Sequence, residues 1–322
     1  MFKKLLVAFM IAALSFSGNL FAGDKAKEDL EIAVVYMNIT IPFAGLIKQG
    51  VDAAAKELGI DAYMTGATDW NTSSQYQVIE NLVAKKVDGI SVAVLDIPGL
   101  TPIINKSVES GIVTTCFNVD APESKRMSFV GEDLFLAGKE TAEVLIEYMG
   151  TKGEVIISSV AIGAIWSKKR EDGVRSVLKN YPDIKIVDVI NAEGAEQNAY
   201  AALENSLLAH PEVDGMISLG GTQYLWARLL QNKDMGNIKS AKPIYNTGHD
   251  LYEEKLLQIQ NGWATAAFGQ NPYLQGFQAV MQIYRKVMNN VDGKDIDTGV
   301  VRVDGNNAKD FIRRLYDGEP IG

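Results

Sequence analysis

The chain has 322 residues, 47% hydrophobic and 22% charged, enough apolar material to bury one large core or two smaller ones. Acidic residues outnumber basic ones 40 to 31, for a formal net charge of −9, which leaves no basic face of the kind that holds nucleic acid. One cysteine, Cys116, rules out an intrachain disulfide, and the two separated histidines, His210 and His249, give no metal-ligand spacing.

The first residues have three parts. Met1-Phe2-Lys3-Lys4 is a basic start, Leu5 to Phe16 is an apolar run, and Ser17-Gly18-Asn19 interrupts it before the small residue Ala22. This is the layout of a secretory signal peptide, expected over residues 1–22 with a mature start near Gly23. The alternative is an uncleaved anchor, against which the run is short for a bilayer. No cysteine stands near the cut to take a lipid, and no later apolar run is long enough to span a membrane.

Strands and helices then alternate. Glu31 to Tyr36 reads as a buried strand, and Phe43 to Leu58 as a helix with Leu46, Ile47, Val51, Ala54, Ala55 and Leu58 on one face, stopped by Gly59. Ala62 to Met64 is a second strand, Ser74 to Lys85 a second helix, and Gly89 to Val94 a third strand. Cys116 falls in the apolar stretch Ile112–Phe117 and reads as a small buried hydrophobe. The programme restarts with a strand at Glu154–Ser158, a helix at Lys169–Lys179, a strand at Ile184–Val189, a helix at Asn198–Leu208 and a strand at Val213–Ser218. Gly173-Val174 stands where the first half has Gly50-Val51, and Val213-Asp214-Gly215 where it has Val87-Asp88-Gly89. A repeat of this length means two similar α/β lobes, each a doubly wound parallel sheet.

Ligands in such sheets sit beyond the carboxyl ends of the strands. The loops there collect Phe43, Trp70, Phe117, Asn118, Trp166, Tyr224, His249, Asp250, Gln270, Asn271 and Tyr273, with Arg170 just past one of them. Gly220-Gly221-Thr222 reads as a tight turn near ligand. Aromatic rings suit the C–H faces of a sugar, and Asp, Asn, Gln and Arg suit its hydroxyls, each with several hydrogen-bonding atoms in fixed geometry. Duller readings stand beside these: Trp70 or Trp166 as the lid of a core, Arg170 as a solvated helix start, Asp250 as the N-cap of a helix over Leu251–Ile259. Phosphate-loop, Gly-x-Gly-x-x-Gly, Gly-x-Ser-x-Gly and His-Glu-x-x-His patterns are all missing, so no enzyme, metal or cofactor is expected.

Several segments resemble the ribose/galactose-type periplasmic binding proteins, whose fold is shared with the ligand domains of lactose-repressor-like regulators. They are Ile41-Pro42-Phe43, Phe117 to Pro122, Phe129 to Asp133, Lys169 to Gly173, Gly248-His249-Asp250 and Gly269 to Gly276. The resemblance implies a type I periplasmic binding protein with a three-strand hinge, its strands near 128–132, 268–271 and 298–302. The lobes would be 30–130 plus 271–298 and 132–269 plus 299–322. It implies a periplasmic receptor for a mono- or small oligosaccharide or polyol, delivering to the membrane permease of an ABC importer or signalling to a chemoreceptor or sensor kinase. Phe43 would stack on the sugar, and Arg170, Asp250 and Gln270 would bind its hydroxyls. With Trp70, Asn118, Trp166, Thr222 and His249 these make up the expected ligand site. Ribose itself is not implied. Phe117-Asn118 replaces an Asp-Arg pair, Gly220-Gly221-Thr222 replaces an asparagine, and Ile41 stands where an asparagine is usual. Asp250 and Arg170 are expected in a water-filled cleft, where losing either weakens binding without loss of stability.

Overall fold

The computed structural model describes residues 26–192, 196–232 and 244–321, so the expected signal peptide lies outside the described residues. The first half runs β1 (Glu31–Tyr36), α1 (Pro42–Leu58), β2 (Asp61–Gly66), α2 (Thr72–Lys85), β3 (Gly89–Val92), α3 (Ile97–Glu109), β4 (Val113–Phe117) and β5 (Phe129–Gly131). It is followed by α4 (Leu134–Met149), β6 (Gly153–Ser159), α5 (Ile165–Leu178), β7 (Ile184–Asn191), α6 (Glu196–Ala209), β8 (Gly215–Ser218), α7 (Gln223–Gln231) and β9 (Tyr245–His249). The chain ends with α8 (Glu253–Gln260), β10 (Ala266–Gly269), α9 (Pro272–Asn289), β11 (Ile296–Asp297), β12 (Val301–Asp304) and α10 (Ala308–Tyr316).

Two six-stranded sheets result. The first has the order β11-β5-β4-β3-β1-β2 with every pair parallel. The second has the order β12-β10-β9-β8-β6-β7, parallel except where β12 closes the edge against β10. The chain passes between the sheets after β5, after β10 and between β11 and β12. β1 is buried along nearly its whole length, as a strand covered by helices on both faces must be.

Local signals set the helix ends. Pro42 opens α1, and Gly59 closes it at φ 63° with its N–H on the Ala55 carbonyl at 2.8 Å. Helix α2 begins earlier than apolar spacing suggests, because the Asn71 side chain accepts from Ser73 N at 2.8 Å and Ser74 N at 3.3 Å. Helix α5 starts at Ile165, which puts Trp166 in its first turn instead of in a loop. Helix α8 starts after Tyr252, so Asp250 does not cap it.

The repeated glycines of the two halves do the same job. In the first lobe α1 crosses α9, where a Cβ on Gly50 would overlap the Tyr273 carbonyl and one on Gly276 the Ile47 carbonyl. In the second α4 crosses α5, where a Cβ on Gly138 would overlap the Arg170 carbonyl and one on Gly173 the Phe135 carbonyl. Helix backbones meet directly at these points, and any side chain would force them apart. Gly173→Ala is therefore expected to destabilise the protein by roughly 1–3 kcal/mol in urea denaturation. Gly45→Ala, on the exposed face of α1 with nothing within 4 Å of its Cβ, is expected to stabilise it by about 0.5–1 kcal/mol.

Candidate functional site

A cavity of about 560 Å³ lies between the sheets, at the carboxyl ends of their strands. Phe43, Trp70, Asn118, Trp166, Arg170, Thr222, Asp250 and Gln270 all line it, and His249 does not. The lobes touch around it: Trp166 belongs to the apolar cluster of the first sheet, with Val160, Ala164 and Ile165 packed alongside.

The two sides of the cavity differ. The first lobe contributes Tyr36, Met37, Ile41, Pro42, Phe43 and Trp70, with Asn118 as its hydrogen-bonding side chain deep in the cleft. Phe43 is buried against Tyr36, ring centroids 6.1 Å apart, whereas Trp70 is 37% exposed at the rim. The second lobe contributes charge. Arg170 is almost fully buried and donates from Nε to Glu132 Oε1 at 3.1 Å, from Nη2 to the same oxygen, and from Nη1 to the Leu219 carbonyl at 2.8 Å. Three of its five N–H groups are thus used among the described residues, and the side chain lines the cavity with the other two. Its guanidinium also lies 5.7 Å from the Trp166 ring centroid.

The partner, Glu132, directly follows β5, where the chain first leaves the first sheet. Burial pushes its carboxyl above the ordinary range while Arg170 pulls it back. This overturns the water-filled setting expected for Arg170, and Asp250, 8% exposed, is likewise buried. Arg170 is neither a solvated helix start nor an open-cleft side chain, but half of a buried ion pair.

A second chain of bonds joins the lobes. Asn118 Nδ2 donates to Gln270 Oε1 and Gln275 Oε1, each at 3.0 Å, and Gln270 Nε2 donates to Asp250 Oδ1 at 2.8 Å. Gln275 Nε2 and Thr298 Oγ1 both donate to the Gln270 carbonyl, at 2.7 and 3.0 Å. Among the described residues Asp250 Oδ2 has the Tyr252 hydroxyl, at 3.5 Å, so this oxygen is poised to accept from a hydroxyl in the cavity. Asn118 and Asp250 leave their strands in the left-handed region, φ 59° and 70°, which short polar side chains tolerate best after glycine.

Two expected residues sit differently. His249 is fully buried, with Nε2 3.0 Å from Thr141 Oγ1 on α4 and its ring 6.0 Å from Phe268. Successive residues on a strand alternate faces, so His249 packs under the sheet and Asp250 takes the cleft. Burial first, then Arg170 and Lys255, hold its imidazole well below the ordinary value, so it is neutral. Thr222 lines the cavity, but its hydroxyl lies 2.5 Å from Ser218 Oγ and 3.3 Å from Ser158 Oγ, inside a buried hydroxyl cluster.

Tyr224 is also in the cavity wall, while Phe117, Asn271 and Tyr273 are not among its lining residues. Sequence reasoning missed Glu132 and Gln275, which hold Arg170 and Asn118, although both lie inside segments that carried the resemblance. It also missed Tyr252, Glu196, Arg228 and Glu254 further along the cavity. Lys255 was missed too; it is fully buried beneath the site, its Nζ donating to the His249 carbonyl, and burial pushes its ammonium down to about 8.

Residues 32–290 match the family model described as the periplasmic binding protein domain. The chain belongs to the periplasmic binding protein family. Among curated relatives, it is 22% identical over 295 residues to the xylose/arabinose-binding protein of Sulfolobus acidocaldarius, spanning 87% of this chain and 72% of that one. It is 25% identical over 269 residues to the D-allose-binding periplasmic protein of Escherichia coli, spanning 80% and 85%. Among solved structures, an ABC transporter solute-binding protein from Burkholderia graminis in complex with D-arabinose superposes with a TM-score of 0.83. That structure is 26% identical, over 88% of this chain and 98% of its own. These homologues are sugar-binding proteins rather than enzymes.

Arg170→Ala is expected to lower the stability of the ligand-free periplasmic binding protein by roughly 3–5 kcal/mol, because Glu132 then stays buried without its cation. The double variant Arg170→Met, Glu132→Gln should recover most of that loss in the same guanidinium denaturation. Unchanged stability in the single variant would show that the pair does not hold the fold.

Proposed function

We propose that this chain is the periplasmic receptor of a sugar ABC importer, holding a neutral sugar or polyol between its lobes and passing it unchanged to a membrane permease. One observation carries this: a carboxylate oxygen held only by a long 3.5 Å bond, an amide chain and a guanidinium with further N–H groups converge on one cavity that also holds aromatic rings. Hydroxyls need both donors and acceptors in fixed geometry, and the ring faces need flat apolar partners. The sugar-binding names of the relatives support the same ligand class. Ligand that touches Asp250 and Arg170 on one side and Phe43 and Trp70 on the other favours the state in which the lobes are together. The lobes in this reading are 30–130 plus 271–298 and 132–269 plus 299–322. Cleavage after Ala22 delivers the mature protein to the periplasm, and no helix among the described residues is long and apolar enough to cross a membrane.

A thermal-shift panel of neutral sugars and polyols tests the reading. A true ligand at about 100 times its Kd adds roughly 2.7 kcal/mol to stability and raises Tm accordingly. Asp250→Asn keeps the shape and the left-handed backbone, and should weaken that ligand by about tenfold or more. The same change should leave the free protein as stable as before, since Tyr252 and not Asp250 occupies the cap of α8. Lost stability with unchanged affinity would refute the binding role of Asp250.

The export step has its own check. N-terminal sequencing of protein recovered from the periplasm should begin near Gly23. Intact Met1 in the membrane fraction would overturn export by cleavage.

A further inference from the structure

The cavity does not end at Asp250 and Arg170. It continues past the Gly220-Gly221 turn to a second cluster built on α6, α7 and the start of α8: Tyr224, Arg228, Glu196 and Glu254. The turn carries no side chain into the passage. A Cβ on Gly220 would lie 3.1 Å from the Trp166 ring, and one on Gly221 3.4 Å from the Tyr252 hydroxyl and 3.7 Å from Asp250 Oδ2. Trp166 and Tyr252 thus pack close against the turn, and the turn and the Arg228 cluster line one and the same cavity.

The second cluster is ordered by its own bonds. Arg228 donates from Nε and Nη2 to the two oxygens of Glu254, at 2.5 and 2.7 Å, and from Nη1 to Glu196 Oε1 at 2.6 Å. The Tyr224 hydroxyl donates to Glu196 Oε2 at 2.9 Å, and the guanidinium lies 4.9 Å from the Tyr224 ring centroid. These three charged side chains, Arg228 and Glu254 partly exposed and Glu196 exposed, are ordered by mutual bonds into a set of donors and acceptors at the cavity mouth. One positive against two negative charges, with Asp250 nearby, disfavours an anionic ligand and suits hydroxyls.

A single sugar ring has two faces and one rim of hydroxyls. Of the rings that line the cavity only Trp70 is broadly exposed, Phe43 and Trp166 being largely buried, and Asp250, Gln270, Asn118 and Arg170 already serve one rim. The Arg228 cluster is then surplus to a monosaccharide.

We propose that the physiological ligand is a neutral disaccharide, with one unit at Asp250 and Arg170 and the second over the Gly220-Gly221 turn, its hydroxyls on Arg228, Glu196 and Glu254. This rests on the reading of the cavity as a sugar site.

Isothermal titration tests it with arabinose, xylose, glucose and galactose against xylobiose, cellobiose, lactose, melibiose and maltose. At least one disaccharide should bind about tenfold or more tightly than the best monosaccharide. Arg228→Ala and, separately, Tyr224→Ala should each weaken that disaccharide by about tenfold while changing any monosaccharide less than about twofold. Thermal melts of both variants confirm folding, and either variant suffices. A monosaccharide that binds as tightly as every disaccharide overturns the inference and leaves the sugar reading standing, as does equal weakening of both ligand classes. Binding of neither class overturns both.

Discussion

The buried pair of Glu132 and Arg170 joins three parts of the molecule that must keep register. Glu132 sits where the chain leaves the first sheet, Arg170 rides on α5, and the Leu219 carbonyl that takes its third bond directly follows β8. A guanidinium at this depth is tolerable only with its carboxylate in place, because an uncompensated charge in the interior costs several kcal/mol. The pair in turn depends on glycine. Helices α4 and α5 meet so closely at Gly138 that a Cβ there would strike the carbonyl of Arg170 itself. The packing of the second lobe and the placing of its cleft cation are thus one contact seen from two sides.

The unequal walls of the cavity follow from where polar groups can be afforded bonds. The first-lobe wall is an extension of its core, since Tyr36, Met37 and Phe43 belong to the same apolar cluster as β1 and α1. The second-lobe wall is built on strand ends whose polar side chains are bonded, Arg170 to Glu132 and Asp250 to Gln270, with Asn118 of the first lobe reaching across to Gln270. A hydrogen-bonding ligand gains most from the second wall, where groups are already aimed and desolvated, and from the first wall mainly ring contact. In the proposed function this division makes hydroxyl geometry the source of selectivity and aromatic contact the source of closure.

The fold was legible because its signals are local. Apolar runs of strand length, helical spacing, and the glycines at 50 and 173 all speak within a few residues, and the structure follows them closely. The cleft edge was legible for the same reason, as the loops after parallel strands. His249 was misplaced by ignoring strand alternation, which puts it and Asp250 on opposite faces. Arg170 does line the cavity, but its surroundings were not legible, because Glu132 is 38 residues away and nothing local links them. The Arg228 cluster was hidden by a different rule: Glu196, Arg228 and Glu254 lie on three helices, where charges read as solvated faces. Only their meeting in space separates them from such a face.

The strand ends at the cleft also explain why asparagine and aspartate recur there. Asn118, Asp250 and Asn271 adopt φ of 59°, 70° and 55°, each within two residues of a strand end. A left-handed residue other than glycine costs about 1 kcal/mol, less for these short polar types. Each is held against that cost by a bond to a neighbouring strand or crossing. Asn118 N donates to the Val130 carbonyl at 2.8 Å, Asp250 N to the Phe268 carbonyl at 2.8 Å, and Asn271 Nδ2 to the Thr298 carbonyl at 3.2 Å. Glycine would adopt the same backbone but would supply no side chain to the chain of bonds across the lobes. The sequence therefore keeps the strained conformation and a hydrogen-bonding side chain at the same positions, with the crossings between lobes holding both in place.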